Sequence, residues 1–541
     1  MKLAKLWIED FKNLKDVEIN FDQGELVTVV IGWNGAGKSN VIEALVVIFR
    51  DLDLGGLTPF SYRLEYICHG KRIHINADKE QKTADKQYQI KYCDADEIVN
   101  EESWNPLRFS KLNNKNADKF LPSNVFGYYS GPSDRLATHF YEHQRKFRDQ
   151  LLYPKKHKLD EKTLPLRPLF YAQKVHSNFV LLSFFLGQDQ RVKGFLKDKL
   201  NIEGLESVLF VLKKPDWTSK KGDPRFWNAT GVVRPFLDRL FSASLAPIKK
   251  TIKVPHPMKN PENVDALFLY LKDLEALRQV GENTSDKDFF KLLESIYFSN
   301  LIHEVRIRVR IKDENGDDDS LTFRELSEGE QQLLTVLGLL RFTRNEESLF
   351  LLDEPDTHLN PSWSMEYLNY LQEVAGLDEY VNEKGNSHIV LATHDPIVIS
   401  TLKKEQIQIM RRDEGTLKVI STPPQNDPKG LGVTGILMSD MFGLRSDLDP
   451  ETLELLDIKA RLASKEGDEL TPEDIIELER VNGLLEPTGF LESYADPYFS
   501  QFIKAFVNEI DMKRFQKPFL SDYERGLAEG TSFKIAKDME E

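Results

Sequence analysis

The sequence predicts an α/β fold around a parallel sheet, and three observations predict it. Three short apolar segments, 25–31, 349–352 and 389–392, have the length and composition of buried strands. The first runs into a glycine-rich loop and then into a helix from Ser39 whose apolar residues recur at helical spacing. The other two are followed directly by polar residues that could bind a ligand or act in catalysis. Asp353 and Glu354 follow the segment 349–352.

Length and composition are those of a large soluble protein. A chain of 541 residues can bury at least one large core and form two or three subdomains. The two cysteines, Cys68 and Cys93, form no metal or disulfide pattern, which fits a reducing compartment. The first eight residues are too polar for a signal peptide, and no apolar run reaches the roughly 18 residues of a membrane span. We therefore expect a cytoplasmic protein that does not associate with membranes.

The net charge of −15 is unevenly distributed along the chain. Residues 145–225 hold 18 Lys/Arg against 9 Asp/Glu, whereas residues 446–486 hold 13 acidic against 4 basic residues. A basic segment can bind nucleic acid, but a solvated surface of mixed charge explains it equally well. Nucleic acid therefore stays open as a partner.

The glycine-rich loop at residues 32–39 matches the phosphate-binding pattern G-x-x-x-x-G-K-[ST] and has the strand and helix that this pattern requires. Glycines let backbone N–H groups surround phosphates, Lys38 neutralises the β- and γ-phosphates, and the Ser39 hydroxyl is a Mg²⁺ ligand. The residues predicted to bind nucleotide here are Asn34, Gly35, Ala36, Gly37, Lys38, Ser39 and Asn40.

The strand at 348–352 ends in two adjacent acids. Asp353 is predicted to hold Mg²⁺, mostly through water, and Glu354 to orient or deprotonate the water that attacks ATP. Two acids could also end a strand merely for solubility. The four apolar residues before the pair and Pro355 after it favour the catalytic interpretation.

A third polar strand end follows residue 392, in the sequence Thr393-His394-Asp395. A lone histidine is more often structural than functional. His394 lies 40 residues after Glu354, at the end of the next predicted strand, and this position favours a functional role. His388, at the entry of the same strand, is predicted to be structural.

Together with these motifs, the sequence L-S-E-G-E-Q at 326–331 resembles the signature of ATP-binding-cassette (ABC) ATPase heads. The N-terminal pattern 8–14 and the segment 353–361 extend the resemblance to RecF-like and overcoming-lysogenization-defect (OLD) ATPases, and above all to the PtuA-like ATPases of Septu and retron anti-phage systems. The resemblance implies an ABC-type, SMC/RecF-like P-loop ATPase head that hydrolyses ATP with Mg²⁺.

In such heads two protomers close around ATP, and the signature of one completes the site of the other. The resemblance therefore implies a homodimer or higher oligomer in which Ser327, Gly329 and Glu330 contact the nucleotide of the other subunit. Ser327 and Glu330 also match a helix capping box, and both interpretations can hold at once. His394 takes the position of the switch histidine, which contacts the γ-phosphate, and is predicted to be catalytic with Glu354.

The predicted organisation has four parts. Residues 1–135 form the N-terminal lobe of the head and residues 301–425 its C-terminal lobe. Residues 136–300 have no sustained heptad repeat, which excludes a long coiled-coil arm, and they are predicted to form a compact, mainly helical insertion. Residues 426–541 form a helical region for binding a partner. The glutamine that follows an N-lobe strand in related heads is not found, since the strand ending near Gly131 has none.

The resemblance also implies partners. PtuA-like proteins pair with PtuB, an HNH nuclease, and in retrons they associate with a reverse transcriptase and its RNA–DNA product. Two alternatives remain open: a RecF/SMC-like repair ATPase that binds DNA through residues 145–225, and an OLD-type nuclease with a TOPRIM domain. A TOPRIM site needs a D-x-D in a strand, and Asp447-Leu448-Asp449 has the spacing but is predicted to lie in a loop.

Overall fold

The computed structural model describes residues 1–21, 24–96, 103–112, 119–157, 159–161, 163–217, 222–256, 259–312, 316–375, 387–413, 415–416, 418–465, 470–485, 502, 505–506, 509–510 and 521–540. Within these residues the strands are β1 (Lys2–Phe11), β2 (Leu14–Asn20), β3 (Val27–Gly32), β4 (Tyr62–Cys68), β5 (Lys71–Ala77), β6 (Tyr88–Asp94), β7 (Asn105–Leu107), β8 (Asn124–Tyr129), β9 (Leu169–Tyr171), β10 (Gly204–Lys213), β11 (Ile248–His256), β12 (Lys259–Leu271), β13 (Ile302–Lys312), β14 (Asp318–Thr322), β15 (Ser348–Asp353), β16 (Ser387–Ala392), β17 (Ile407–Arg412) and β18 (Val419–Thr422).

The helices of the same residues are α1 (Lys38–Leu54), α2 (Ala84–Gln87), α3 (Phe109–Leu112), α4 (Tyr141–Leu152), α5 (Pro154–His157), α6 (Lys174–Leu186), α7 (Gln190–Leu200), α8 (Val233–Ala243), α9 (Leu274–Val280), α10 (Asp286–Phe298), α11 (Glu328–Thr343), α12 (Pro361–Ala375), α13 (Pro396–Ile399), α14 (Gly432–Met438), α15 (Pro450–Ala463), α16 (Pro472–Leu485) and α17 (Asp522–Glu540).

The strands of the described residues form three sheets. A mainly parallel sheet has the order β18-β17-β3-β16-β15-β8-β9, in which only β18 runs antiparallel to its neighbour. An antiparallel sheet formed within residues 2–107 has the order β2-β1-β4-β5-β6-β7. The predicted α/β fold is confirmed.

The parallel sheet brings together strands that are far apart in sequence. β16 lies between β3 and β15, with Ala392 opposite both Val30 and Asp353. These strands are buried along nearly their whole length, as their continuous apolar sequences predict. Because the three strands are parallel, their carboxyl ends meet at one edge, where open α/β sheets bind ligands. The phosphate loop, the acidic pair and His394 all follow these ends.

The region 136–300 is mainly helical, but it also contains strands β10, β11 and β12, which were not predicted from the sequence. Strands β10, β11 and β12 join β13 and β14 in the order β11-β12-β10-β13-β14. β11 lies at the edge of that sheet and has three lysines among its few apolar residues, so it lacks the apolar run of a central strand. Residues 136–300 are therefore a mixed helical and β region whose strands pair with β13 and β14 beyond it.

The described chain divides into two compact units. One comprises residues 1–398 and 405–423, and the other residues 399–404 and 424–541. Among the described residues the second unit is built from helices α14 to α17. Asp447 and Asp449 lie there between α14 and α15, where Asp449 accepts hydrogen bonds from the N–H groups of Glu451 and Thr452 and caps α15. In the described part of the chain, no helix combines the length and the apolar character that crossing a bilayer requires.

Candidate nucleotide site

The phosphate loop adopts a backbone conformation that depends on its glycines. Gly32, Gly35 and Gly37 have φ of 145°, 80° and 103°, in the region that side chains disfavour. At Gly32 a Cβ would also lie 2.1 Å from the carbonyl oxygen of Met410 on β17. Gly37 precedes α1, so Lys38 and Ser39 are the first helical residues and their N–H groups lack partners within the helix. The loop therefore presents backbone donors and the positive end of a helix at one place.

Lys38 is the buried cation of the site. Its Nζ donates to the carbonyl oxygen of Gly32 at 2.8 Å, and its side chain is 5% exposed. Burial lowers the pKa of Lys38, while the nearby carboxylates of Glu354 and Asp353 oppose that shift. The ammonium group is therefore held under the loop, between the backbone that would bind phosphates and the two acids.

Ser39 and Asp353 come together across 314 residues of sequence. The Ser39 hydroxyl donates to Asp353 Oδ1 at 3.0 Å. Burial raises the pKa of Asp353 to about 6, and the charge of Glu354 adds to this effect against the hydrogen bond from Ser39. A hydroxyl and a carboxylate at this distance offer the hard oxygen ligands that Mg²⁺ prefers, and the predicted metal ligands lie side by side.

Glu354 and His394 lie at the ends of neighbouring strands. His394 Nδ1 is 3.3 Å from Glu354 Oε1, and both side chains reach solvent. Glu354 has a φ of 54°, unusual for a residue with a side chain, and its N–H donates to the carbonyl oxygen of Ala392 at 2.8 Å. Such a strained residue costs about 1–3 kcal/mol and persists where the surroundings fix it, as they often do at functional sites. The conformation holds the carboxylate beside the imidazole.

The segment after Glu354 is tied to the strand that carries His394. Thr393 Oγ1 donates to Asp356 Oδ2 at 2.5 Å, and the Thr393 hydroxyl also accepts from the N–H of Asp395. Burial raises the pKa of Asp356 to about 6. Thr357 Oγ1 donates back to the carbonyl oxygen of Glu354 at 2.9 Å. These bonds make residues 353–357 and 393–395 one connected polar cluster.

The signature residues form the start of α11. Ser327 caps this helix: its Oγ accepts from the N–H of Glu330, and Glu330 Oε2 accepts from Ser327 N–H at 2.7 Å. Glu330 thus fixes the conformation of Ser327, whose own side chain is exposed at the helix N-terminus. Gly329 is buried, and a Cβ there would lie 2.4 Å from the carbonyl oxygen of His358. The glycine is therefore needed for close packing against the segment that follows Glu354.

A cavity of about 260 Å³ adjoins the signature. The ends of β8 and β9 line it together with Lys174, whose ammonium group contacts Glu328 Oε1 at 2.9 Å. Ser130 follows β8, where the sequence analysis sought a glutamine, and its N–H donates to the carbonyl oxygen of Asp353 at 3.3 Å. Ser130 therefore lies next to Asp353 at the position where a glutamine was expected.

The histidine predicted to be structural is fully buried. His388 Nδ1 accepts from the N–H of Leu3 at 2.9 Å, so its Nε2 carries the proton that bonds Thr28 Oγ1 at 3.0 Å. Burial holds the pKa of His388 well below its usual value. The neutral ring thus joins β1 to the central sheet, far from solvent.

Several basic residues of the 145–225 region are paired within the chain. Arg148 contacts Asp216, and Arg225 contacts Asp223. Arg167 is fully buried, contacts Glu294 at 2.6 Å and lies against the rings of Phe170 and Phe298. Lys158 lies outside the described residues. Part of the excess positive charge of this region therefore serves internal ion pairs.

Glu43 of α1 and Arg135, which contacts it, were not predicted from the sequence, whereas Asn13, which contacts the phosphate loop, belongs to the N-terminal pattern 8–14. Asn13 Nδ2 donates to the carbonyl oxygen of Gly35 at 2.8 Å. The position of Asn13 after Phe11-Lys12 was a recognisable signal, whereas the pairing of Arg135 with Glu43 joins residues 92 positions apart and leaves no local pattern.

Two family models cover most of the chain between them. Residues 1–176 match the family described as "AAA ATPase domain", and residues 179–400 match the family described as "AAA domain, putative AbiEii toxin, Type IV TA system". The boundary falls inside α6, in the region predicted as an insertion.

Curated relatives agree with these families. The "Retron Vc95 probable ATPase" of Vibrio cholerae is 23% identical over 81% of this chain and 78% of its own length. The "Septu protein PtuA" of Bacillus mycoides is 26% identical over 46% of this chain and 36% of its own length. Among solved structures, an SmcHead bound to a domain of ScpA aligns at 14% identity with a TM-score of 0.33, over 78% of this chain and 98% of its own. An ATP-bound RecF aligns at 14% identity with a TM-score of 0.27, over 73% of this chain and 92% of its own.

The parallel sheet, the phosphate loop, the acidic strand end and the signature helix define an ATPase of the ABC-type P-loop class. Within that class the chain is similar to the retron ATPase and to the Septu protein PtuA.

Proposed function

We propose that the chain binds ATP with Mg²⁺, hydrolyses it to ADP and phosphate, and thereby controls an associated nuclease in an anti-phage defence complex. One observation carries the ATPase part of this proposal. The buried ammonium of Lys38, the Ser39–Asp353 pair and the Glu354–His394 pair all lie at one edge of the parallel sheet.

Each group has a role that its position supports. The N-terminus of α1 and Lys38 bind the phosphates, with Asn34, Gly35, Ala36, Gly37, Ser39 and Asn40 completing the loop. Ser39 and Asp353 hold Mg²⁺, which neutralises charge on the β- and γ-phosphates. Glu354 accepts a proton from water or orients it, and His394 binds the γ-phosphate while contacting Glu354.

We infer further that two chains close around ATP. The exposed Ser327 at the N-terminus of α11 supports this inference, because a helix N-terminus binds anions and the Ser327 side chain is not covered within the chain. Gly329 keeps the helix start packed on residues 358–359, so the signature and the segment after Glu354 form one rigid surface. In the closed dimer, Ser327 and the Gly329 N–H contact the γ-phosphate of the other subunit.

The proposed partners follow from the similarity to retron and Septu proteins. A PtuB-like HNH nuclease is the proposed effector, and in a retron setting a reverse transcriptase with its RNA–DNA product joins the complex. The helical region 426–541 is the proposed surface for a partner. Its described helices leave Ile476 of α16 and Phe533 of α17 exposed.

Phosphate release from the purified chain tests the ATPase proposal, with and without Mg²⁺. We expect hydrolysis that needs the metal, and Lys38→Ala should weaken ATP binding about 10- to 100-fold because it removes a charged hydrogen-bond donor. Lys5→Ala, on the exposed side of β1, is a matched control. A parent chain that binds no ATP, or a Lys38→Ala variant that binds like the parent, would reject the assignment.

Light scattering of the parent chain with ATP and with ADP tests the dimer, and co-purification with the neighbouring gene products tests the nuclease partner. A chain that stays monomeric with ATP would contradict the dimer without affecting the ATPase proposal.

A further inference from the structure

A polar cluster behind the phosphate loop is centred on Glu43 of α1, a carboxylate that is 4% exposed. Arg135 donates to Glu43 Oε2 from Nη2 at 2.7 Å and from Nε at 3.1 Å. His139 Nε2 lies 3.0 Å from Glu43 Oε1, and the ammonium group of Lys12 also contacts the carboxylate. Burial alone would raise the pKa of Glu43, but the bonds from His139, Lys12 and Arg135 lower it to about 2. Glu43 is therefore an ionised carboxylate that accepts hydrogen bonds from three side chains, and it forms the hub of the cluster.

From this hub a chain of hydrogen bonds leads to the phosphate loop. The same Nη2 of Arg135 donates to Asn40 Oδ1 at 2.6 Å, and Asn40 Nδ2 donates to Asn13 Oδ1 at 2.6 Å. Asn13 Nδ2 then donates to the carbonyl oxygen of Gly35 at 2.8 Å. Asn13 also packs against Gly37, where a Cβ would lie 2.9 Å from its Oδ1. The loop is thus held at two glycines by one side chain.

In this arrangement the side-chain amide of Asn40 is occupied at both ends. Its oxygen accepts from Arg135 and its nitrogen donates to Asn13. The side chain of Asn40 is therefore held in one orientation by hydrogen bonds to other side chains of the protein. The guanidinium fork of Arg135 can reach Glu43 and Asn40 at once, which a lysine ammonium does less well because its donors lack the fixed planar geometry.

We propose that Arg135 is a positioning residue for ATP binding, which fixes the phosphate loop through Asn40 and Asn13. This inference rests on the proposed ATPase function and adds to it a residue outside the nucleotide-binding motifs. The chain of bonds keeps Gly35 and Gly37 in the left-handed conformations that aim the loop at phosphates. Arg135 binds no phosphate itself in this proposal.

The cluster also attaches the beginning of the insertion to α1. Arg135, His139 and His143 recur every fourth residue, and His143 Nε2 lies 2.8 Å from Asp53 Oδ2 at the far end of α1. The segment that leads into α4 therefore lies along the helix that begins at the phosphate loop.

The test is ATP affinity and steady-state kinetics of the full chain with Arg135→Met and Arg135→Lys. Arg135→Met removes all the donors, and we expect KM for ATP and Kd for a non-hydrolysable ATP analogue to rise about tenfold, with a smaller change in kcat. Arg135→Lys should fall between Arg135→Met and the parent. The matched control is Arg145→Met on α4, because Arg145 is exposed and bonds to Glu142 within one turn. It should bind the analogue like the parent.

A double-mutant cycle with Asn40→Ala separates positioning from a general loss of structure. If Arg135 acts through Asn40, the double variant should bind the analogue about as weakly as the single variant with the lower affinity. The effects of two substitutions in one hydrogen-bond network are not additive. Effects on affinity that simply multiply would overturn the proposal, as would an Arg135→Met variant that folds and binds like the parent. Should Arg135→Met fail to fold in thermal melting, Arg135→Lys with Asn40→Ala gives the same cycle. A parent chain that binds no ATP would reject the proposed function instead.

Discussion

His394 and Glu354 face each other across two adjacent strand ends, with Nδ1 of the histidine 3.3 Å from Oε1 of the glutamate. Residue 354 is bonded through its N–H to Ala392, the last residue of the strand that leads to His394. This backbone bond places the two residues at neighbouring positions of the sheet edge. In the proposed function these side chains are the base and the phosphate-binding imidazole, and their proximity would let both act at one γ-phosphate.

Replacing Glu354 with Gln should separate binding from hydrolysis. The amide keeps the shape and the contact with His394 but cannot take a proton from water, so we expect kcat to fall about 100-fold or more. ATP binding should persist, and the ATP-bound dimer should accumulate in light scattering. Glu366→Gln on α12, which neutralises a half-buried carboxylate bonded to Asn369, should hydrolyse ATP at the parent rate. Hydrolysis by Glu354→Gln at the parent rate would show that another group activates the water.

The Mg²⁺ requirement should depend on pH through Asp353. The pKa of this buried carboxyl in the nucleotide-free site is about 6, so it takes up a proton as the pH falls through 6 and loses its affinity for a cation. We expect the Mg²⁺ concentration for half-maximal ATPase activity to rise between pH 8 and pH 5.5, and excess chelator to abolish activity at both. Asp353→Asn should lose most of the metal response. An unchanged half-maximal Mg²⁺ concentration at the two pH values would argue against Asp353 as a ligand.

Asp356 should limit the stability of the folded chain at alkaline pH. Its pKa is raised from 3.8 to about 6, so the protonated form is favoured by folding. The stability gained from that proton is complete below about pH 4 and is lost as the pH rises through 6. Asp356→Asn can still bond Thr393, and it should raise the free energy of unfolding at pH 8 by on the order of 2 kcal/mol.

The measurement for Asp356→Asn is denaturant unfolding without nucleotide at pH 8 and pH 5, where the gain should be smaller at pH 5. Asp149→Asn on α4 removes an exposed carboxylate and should show no comparable gain. A variant that is less stable than the parent at pH 8 would mean that the carboxylate contributes more through its bonds than its burial costs.

Gly329→Ala should damage the signature surface. The added Cβ would meet a backbone oxygen 2.4 Å away, so the helix start or residue 358 must shift, at a cost of about 1–3 kcal/mol. We expect a lower melting temperature and loss of the ATP-dependent dimer. Gly194→Ala on α7 is the matched control, because its Cβ would meet only a flexible side-chain oxygen 3.9 Å away. A Gly329→Ala chain with parent stability and a normal dimer would contradict both the packing and the role of the signature.

Strands β3, β15 and β16 of the parallel sheet and the polar residues at their ends were predictable because each combines a short apolar run with a distinctive motif. Strands β10, β11 and β12 were not predicted. β10 has an apolar run that could have indicated a strand, whereas β11 owes its conformation to pairing with β12 rather than to its own composition. The Glu43–Arg135 contact could not be predicted from local sequence patterns either, because the two residues lie in separate segments that only the folded chain brings together.

The order of strands in the parallel sheet has a consequence for the newly synthesised chain. β3 carries the phosphate loop, yet both of its neighbours, β16 and β17, come from residues 387–412. A growing chain that ends before them has a phosphate-loop strand with two open edges and no completed pocket. Because such distant pairings form late and slowly, we expect the proposed nucleotide pocket to be complete only after residue 412 has been synthesised. A nascent chain that is still shorter would then be unable to bind ATP.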